Sequence, residues 1–181
     1  MRFKRTRRGL EAKVYAVEAR VLSQCAEELL ELLGDADEVP DDPIAAMVGL
    51  PTGEVETPDD PALARLLPDA YGDDPAAATD FRRYTESDLR ALKRSAATTA
   101  LVQLQPLLEE GGRLTLDRES ADSWLAWLND IRLVLGTRLD VTEDMDELAP
   151  DDPREPIMQV YGWLGWLQES LLSCLEPRPS A

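Results

Sequence analysis

Two thiols and a short run of bases are the side chains of this chain with the most chemistry to offer. Cys25 and Cys174 are its only cysteines. A redox pair needs the two Cα atoms within about 7 Å, which would require the first and last long helices side by side. Two cysteines are too few for a zinc site alone or for a secreted disulfide scaffold. Cys25 falls in an apolar helical stripe, where cysteine usually serves as a small buried hydrophobe. Cys174 falls at the edge of such a stripe, where its sulfur is partly accessible. The stripe favours inert packing residues; the redox pair is the alternative. The bases are Arg2, Lys4, Arg5, Arg7 and Arg8. They form either the solvated end of a hairpin or a contact for a phosphate backbone or an acidic partner.

A third group lies inside an apolar helix. At 100° per residue, Trp124, Trp127, Leu128, Ile131, Leu135 and Leu139 share one broad arc of the stretch 117–141. Arg132 and Arg138 lie inside that arc, flanked by Asn129 and Asp130. A guanidinium there must snorkel out or meet a carboxylate or backbone carbonyls. A structural polar network fixing helix packing is the simpler reading; an anion or partner pocket is the sharper one.

Other chemistry is missing. The chain has no histidine, which removes histidine triads, metal ligands and general bases together. It has no phosphate-binding glycine loop, no Gly-x-Ser-x-Gly elbow and no Cys-x-x-Cys. Acids occur in pairs, but without calcium-loop spacing and on linkers that cannot hold catalytic geometry. The reading is a non-enzyme with no catalytic residue, metal or cofactor.

The elements that must position these groups are mostly helices. Residues 2–6 and 10–15 alternate around Arg8-Gly9 and predict a β-hairpin. A helix over about 17–33 follows, stopped by Gly34. Asp-Asp-Pro recurs at 41–43, 59–61, 73–75 and 151–153. Each sets an N-cap aspartate before a first-turn proline and predicts helices at 43–48, 61–67, 75–84 and from about 153 to 175. Phe81-Arg-Arg-Tyr-Thr-Glu86 reads as a helix end and a restart capped by Thr85. Pro106 should bend or break the restarted helix, and 113–116 is a candidate strand to extend the hairpin. All four tryptophans fall on the last two long helices. The expected fold is mainly α: one helical-bundle domain over 1–181 with a small N-terminal β-hairpin, an acidic Pro-rich insertion at 35–74 and a loose tail at 177–181.

The net charge is −17. Residues 35–74 hold 12 acids against Arg65, and residues 143–155 hold 7 acids against Arg154, so the rest is neutral overall. Such charge opposes an extended nucleic-acid footprint, leaving DNA contact weak or indirect. No run reaches about 18 apolar residues, and no apolar segment follows the basic N-terminus. The expectation is a cytoplasmic protein off the membrane, with self-association left open.

Three runs carry a family resemblance: Phe81-Arg-Arg-Tyr-Thr-Glu86, Leu128-Asn-Asp-Ile-Arg-Leu-Val-Leu-Gly-Thr-Arg-Leu139 and Tyr161-Gly-Trp-Leu-Gly-Trp-Leu-Gln-Glu169. Through them the chain resembles, over nearly its whole length, the actinobacterial family known as domain of unknown function 2017, the actinomycete oxidative-stress regulators. The resemblance implies a cytoplasmic transcriptional regulator that responds to oxidation through cysteine thiols. It also implies contact with a stress sigma factor or RNA polymerase that favours cysteine biosynthesis. Cys25 and Cys174 lie outside the three runs. The residues themselves suggest an acidic, α-rich interaction protein, and a helical adaptor with no redox role is the alternative.

Overall fold

The computed structural model describes residues 1–7, 9–34, 57–71, 74–142, 148–149 and 151–176. The expected helix at 43–48 and the expected loose tail at 177–181 lie outside them. The fold is mainly α, with five α-helices and one three-stranded antiparallel sheet among the described residues. Strands β1 (Phe3–Thr6) and β2 (Gly9–Val14) form the predicted hairpin, and β3 (Gly112–Leu116) adds to it in the order β1-β2-β3. The registers are Phe3 opposite Ala12 and Ala12 opposite Leu114. Alternation sends Phe3, Leu10, Ala12, Val14, Leu114 and Leu116 inward. Gly9 has φ +125° at the turn, and an added Cβ would stand 2.5 Å from the Leu116 carbonyl oxygen. Only glycine fits there.

Helix α1 (Ala16–Leu33) starts where the Glu18 carboxylate accepts the Tyr15 N–H at 2.9 Å, and ends at Gly34, φ 67°. Its last carbonyls are claimed by the next long helix. Arg90 donates to Leu33 O at 2.6 Å and Arg94 to Leu30 O at 3.0 Å. These guanidinia satisfy orphan carbonyls and oppose the negative end of the dipole. Two aspartates cap helices as predicted. Asp60 accepts from Ala62 N at 2.8 Å and Leu63 N at 3.0 Å to start α2 (Pro61–Leu66), and Asp74 accepts from Ala77 N at 3.1 Å to start α3 (Pro75–Leu104).

The expected break at 84–85 is absent: α3 runs unbroken for 30 residues. Thr85 Oγ1 donates back to Phe81 O at 2.8 Å instead of capping a new helix. Glu86 ties the two halves together, holding Arg82 at 2.6 Å and Arg90 at 2.7 Å, each four residues away. Arg82 also reaches Asp69 at 2.6 Å and Leu67 O at 2.9 Å, anchoring the segment before α3. Pro106 does end the helix, in a 3₁₀ turn at Gln105–Leu107.

Helix α4 (Arg118–Arg138) is capped by Asp117, which accepts from Ser120 N at 2.8 Å. It packs against α1, α2, α3, the final helix α5 (Glu155–Leu175) and the inner face of the sheet. Trp124, Trp127 and Leu128 are fully buried, and Ile131 is 1% exposed. The two indoles meet edge to face at 5.3 Å, and Phe3 meets Trp124 at 6.0 Å. The indole N–H of Trp124 donates to Gln103 Oε1 at 2.7 Å, so this core ring keeps its polar edge satisfied. Helix α5 starts two residues after the predicted Pro153, because Asp152 accepts from Arg154 N at 2.8 Å in the turn before it.

Candidate functional site

The sheet and the last helix together make the site. Phe3 is clamped under Trp124, which sets β1 against α5, and the Phe3 N–H donates to Ser170 Oγ at 3.0 Å. On α5, Trp166, Ser170, Ser173 and Cys174 recur at three and four residues and so share a face. Between that face and the start of β1 lies a cleft of about 240 Å³, lined also by Arg2, Phe3 and Glu169. Cys174 is half-buried at this cleft with a free thiol, and Arg2 brings a guanidinium to the same walls. Trp166, 45% exposed, and Leu172 extend an apolar surface around the outside of α5. Sequence alone singles out Cys174 and Arg2 separately. The periodic spacing of 166, 170 and 173 was visible, but its approach to Phe3 needed the fold.

Cys25 is in a different environment. It is 8% exposed within the α1 stripe, and burial, with the charge of Glu28, pushes its thiol up to about 11 despite an opposing backbone hydrogen bond. At neutral pH roughly one such thiol in ten thousand is ionised. Helix α1 packs chiefly on α3 and α4, whereas α5 packs chiefly on α4 and β1. Both cysteines are free, so no Cys25–Cys174 bridge is formed. Because the thiolate is the reactive species, only Cys174 combines access with a shaped surrounding.

The basic arm is spread along the hairpin. Lys4 and Arg5 lie on β1, and Arg2 and Arg7 flank it; all four are exposed. The side chain of Arg8 lies outside the described residues. Arg5 donates to Glu176 O at 3.3 Å, tying β1 to the end of α5.

The four polar residues of α4 separate. Asn129 is exposed. Asp130 turns to α3, where Lys93 Nζ stands 2.6 Å from its Oδ1. Burial raises the Asp130 pKa, against the hydrogen bond and charge of Lys93. Arg132 turns to α5, donating to Gln168 Oε1 at 2.7 Å and Tyr161 OH at 3.4 Å, with its guanidinium 5.0 Å from the Tyr161 ring centre. Gly165 leaves room for it, since a Cβ there would stand 3.3 Å from Arg132 Nε. Arg138 points outward to Asp60 at 3.5 Å. Instead of one network, the residues pin α4 to three different neighbours. Lys93, Gln168 and Tyr161 carried no local signal for these roles.

The model of the family described as "Domain of unknown function (DUF2017)" matches residues 1–175. Among curated proteins, the oxidative stress regulator AosR of Mycobacterium tuberculosis (strain ATCC 25618 / H37Rv) is 36% identical over 170 residues, which is 87% of this chain and 78% of that protein. The same figures hold for AosR of Mycobacterium bovis. A putative oxidative stress regulator AosR of Mycobacterium leprae is 36% identical over 173 residues, with the same shares covered. No solved structure matches. With a family match spanning nearly every residue and relatives well above 30% identity, this chain belongs to the DUF2017 family.

Proposed function

We propose that this chain is a cytoplasmic regulator of the oxidative-stress response that works by contact with a protein of the transcription machinery, with Cys174 as its sensing thiol. The partner in this reading is a stress sigma factor or RNA polymerase, and the output is greater cysteine biosynthesis. The names of the relatives support the regulatory half. One observation carries the thiol half: Cys174 is the accessible sulfur, in a cleft bordered by Arg2 and the exposed Trp166.

The chemistry follows from that placement. The Cys174 thiolate attacks a hydroperoxide and breaks the O–O bond. Sulfur is oxidised by two electrons to a sulfenic acid, and the other peroxide oxygen leaves as hydroxide or alkoxide and takes a proton. A second thiol, from the partner or a small thiol, then attacks this sulfur and releases water, leaving a mixed disulfide. Either product puts new atoms between α5 and β1, next to the Phe3–Ser170 hydrogen bond, and so alters the surface around Trp166.

The test is binding of purified RNA polymerase holoenzymes, each carrying a different sigma factor, before and after mild peroxide treatment. The expected result is a peroxide-dependent change in affinity that Cys174→Ser abolishes and Cys25→Ser retains. Binding by the Cys174→Ser protein that still responds to peroxide would defeat the thiol assignment. A second reading, a helical adaptor with no redox role, draws on the exposed Ile157, Trp166 and Leu172 of α5, whose exposure is independent of any thiol. It predicts equal binding by both serine variants under all conditions.

A further inference from the structure

The sheet presents a solvent face opposite in charge to the chain as a whole. Its three strands carry Lys4, Arg5, Lys13 and Arg113 against a single acid, Glu11, while the chain carries −17. Lys4, Glu11, Lys13 and Arg113 alternate with the buried residues of their strands and therefore share the outer face. Register puts Lys13 directly opposite Arg113. Like charges at facing positions of an antiparallel pair oppose folding. Among the described residues Glu11 is the acid that meets this pair, gripping Arg113 at 2.6 Å, while the Arg113 side chain stays 74% exposed. Lys13 rests its ammonium 4.9 Å from the centre of the exposed Tyr15 ring. The two cations thus stand side by side on the exposed face, open to an acidic group from outside.

We propose that this outer sheet face, through Lys4, Lys13 and Arg113 with Arg7 at the hairpin turn, docks a carboxylate-bearing patch on a partner protein. The proposal rests on the reading that the chain acts by protein contact, and it names the chemistry of that partner. The size of the face and the acid at its centre favour a protein over a nucleic acid. Three strands about 4.8 Å apart make a platform only about 10 Å wide and about 20 Å long. With screening over about 8 Å, only the few phosphates that cross such a platform would feel its cations, and the rest of a duplex would gain nothing from it. A compact acidic patch ends where the platform ends. Glu11, at the centre of the face, would also repel a continuous phosphate track, whereas separate carboxylates can settle on the cations around it.

Fluorescence anisotropy of the full chain tests this with two probes, a labelled glutamate–serine peptide and a labelled DNA duplex. The peptide should bind, more weakly as salt rises, and more tightly than the duplex at equal ionic strength. Lys13→Glu and Arg113→Glu should each weaken peptide binding about tenfold. The thermal midpoint of Lys13→Glu should hold or rise, because it sets an opposite charge against Arg113, whereas Arg113→Glu also forfeits the Glu11 ion pair and should lower its midpoint slightly. Arg118→Glu, the same change of charge on α4, should leave peptide binding unaltered. Tighter binding of the duplex, equal loss with Arg118→Glu, binding unmoved by the sheet reversals, or lower midpoints that account for the loss would each overturn the assignment. A reversed variant that binds polymerase holoenzyme as well as the native chain removes this surface alone. A native chain that binds no holoenzyme removes the reading beneath it.

Discussion

Replacing Lys93 by methionine isolates the polar contact that joins the two central helices. The substitution keeps the length of the side chain and deletes an ammonium 2.6 Å from Asp130 Oδ1. The side chains are 15% and 5% exposed, so water shields the pair poorly. Two unit charges at that separation attract by about 6 kcal/mol at an effective dielectric of about 20. Desolvation offsets part of this, and removing one member of a buried pair costs about 3–5 kcal/mol. Partial exposure of Lys93 places the expected loss near the lower end, about 3 kcal/mol at pH 7. The pH dependence fixes the cause. Burial already raises the Asp130 pKa above its unfolded value. The stabilising contribution of that shift is complete below the unfolded pKa and disappears as pH rises through the folded one. Without Lys93 the folded pKa climbs further. The deficit of Lys93→Met should therefore be largest at neutral pH and shrink as pH falls toward about 4. Urea unfolding followed by tryptophan fluorescence and circular dichroism at several pH values reads both quantities, since Trp124 and Trp127 are buried on α4, the helix that carries Asp130. A loss below about 1 kcal/mol, or one constant with pH, would refute a buried ion pair at this position. Lys93→Met with Asp130→Leu should recover most of the loss, because no charge is then left unpaired.

Two further substitutions probe elements that hold the site. Gly111 has φ +70°, and an added Cβ would lie 2.5 Å from Val14 O, so Gly111→Ala should displace the start of β3 and cost upwards of about 1 kcal/mol in chemical denaturation. A neutral outcome would mean that the β2–β3 junction tolerates the side chain. Asp60→Ala removes the acceptor for two N–H groups of α2 and the partner of Arg138, and should lower stability by about 1 kcal/mol. No change in the denaturation midpoint would show that α2 is held by packing alone.

Local rules carried much of the fold. The arc of α4, the hairpin around Gly9, the caps at Asp60 and Asp74 and the added strand β3 each follow from period, turn chemistry or capping within a few residues. The continuity of α3 did not. Thr85 satisfies both a capping rule and a back-bonding geometry, and the ties from Glu86 to Arg82 and Arg90 decided for the helix. The polar residues of α4 show the same limit. Helical periodicity marks Arg132 as needing partners, but Gln168 and Tyr161 belong to another helix, and their approach depends on how α5 docks. Arg138 lies in the apolar arc beside the buried Leu139, but its long side chain carries the guanidinium out to solvent and to Asp60. The cleft at Cys174 forms from the two ends of the chain, and no spacing within either end reports it.

Competitive alkylation of the folded protein, with the extent of modification at each cysteine followed by mass spectrometry, tests the central claim most directly. Cys174 should be labelled rapidly, and Cys25, with its thiol pushed up to about 11 in the core, should react only as the protein unfolds. Labelling of Cys25 at a rate equal to or above that of Cys174 in the native state would contradict the assignment of Cys174 as the sensing thiol.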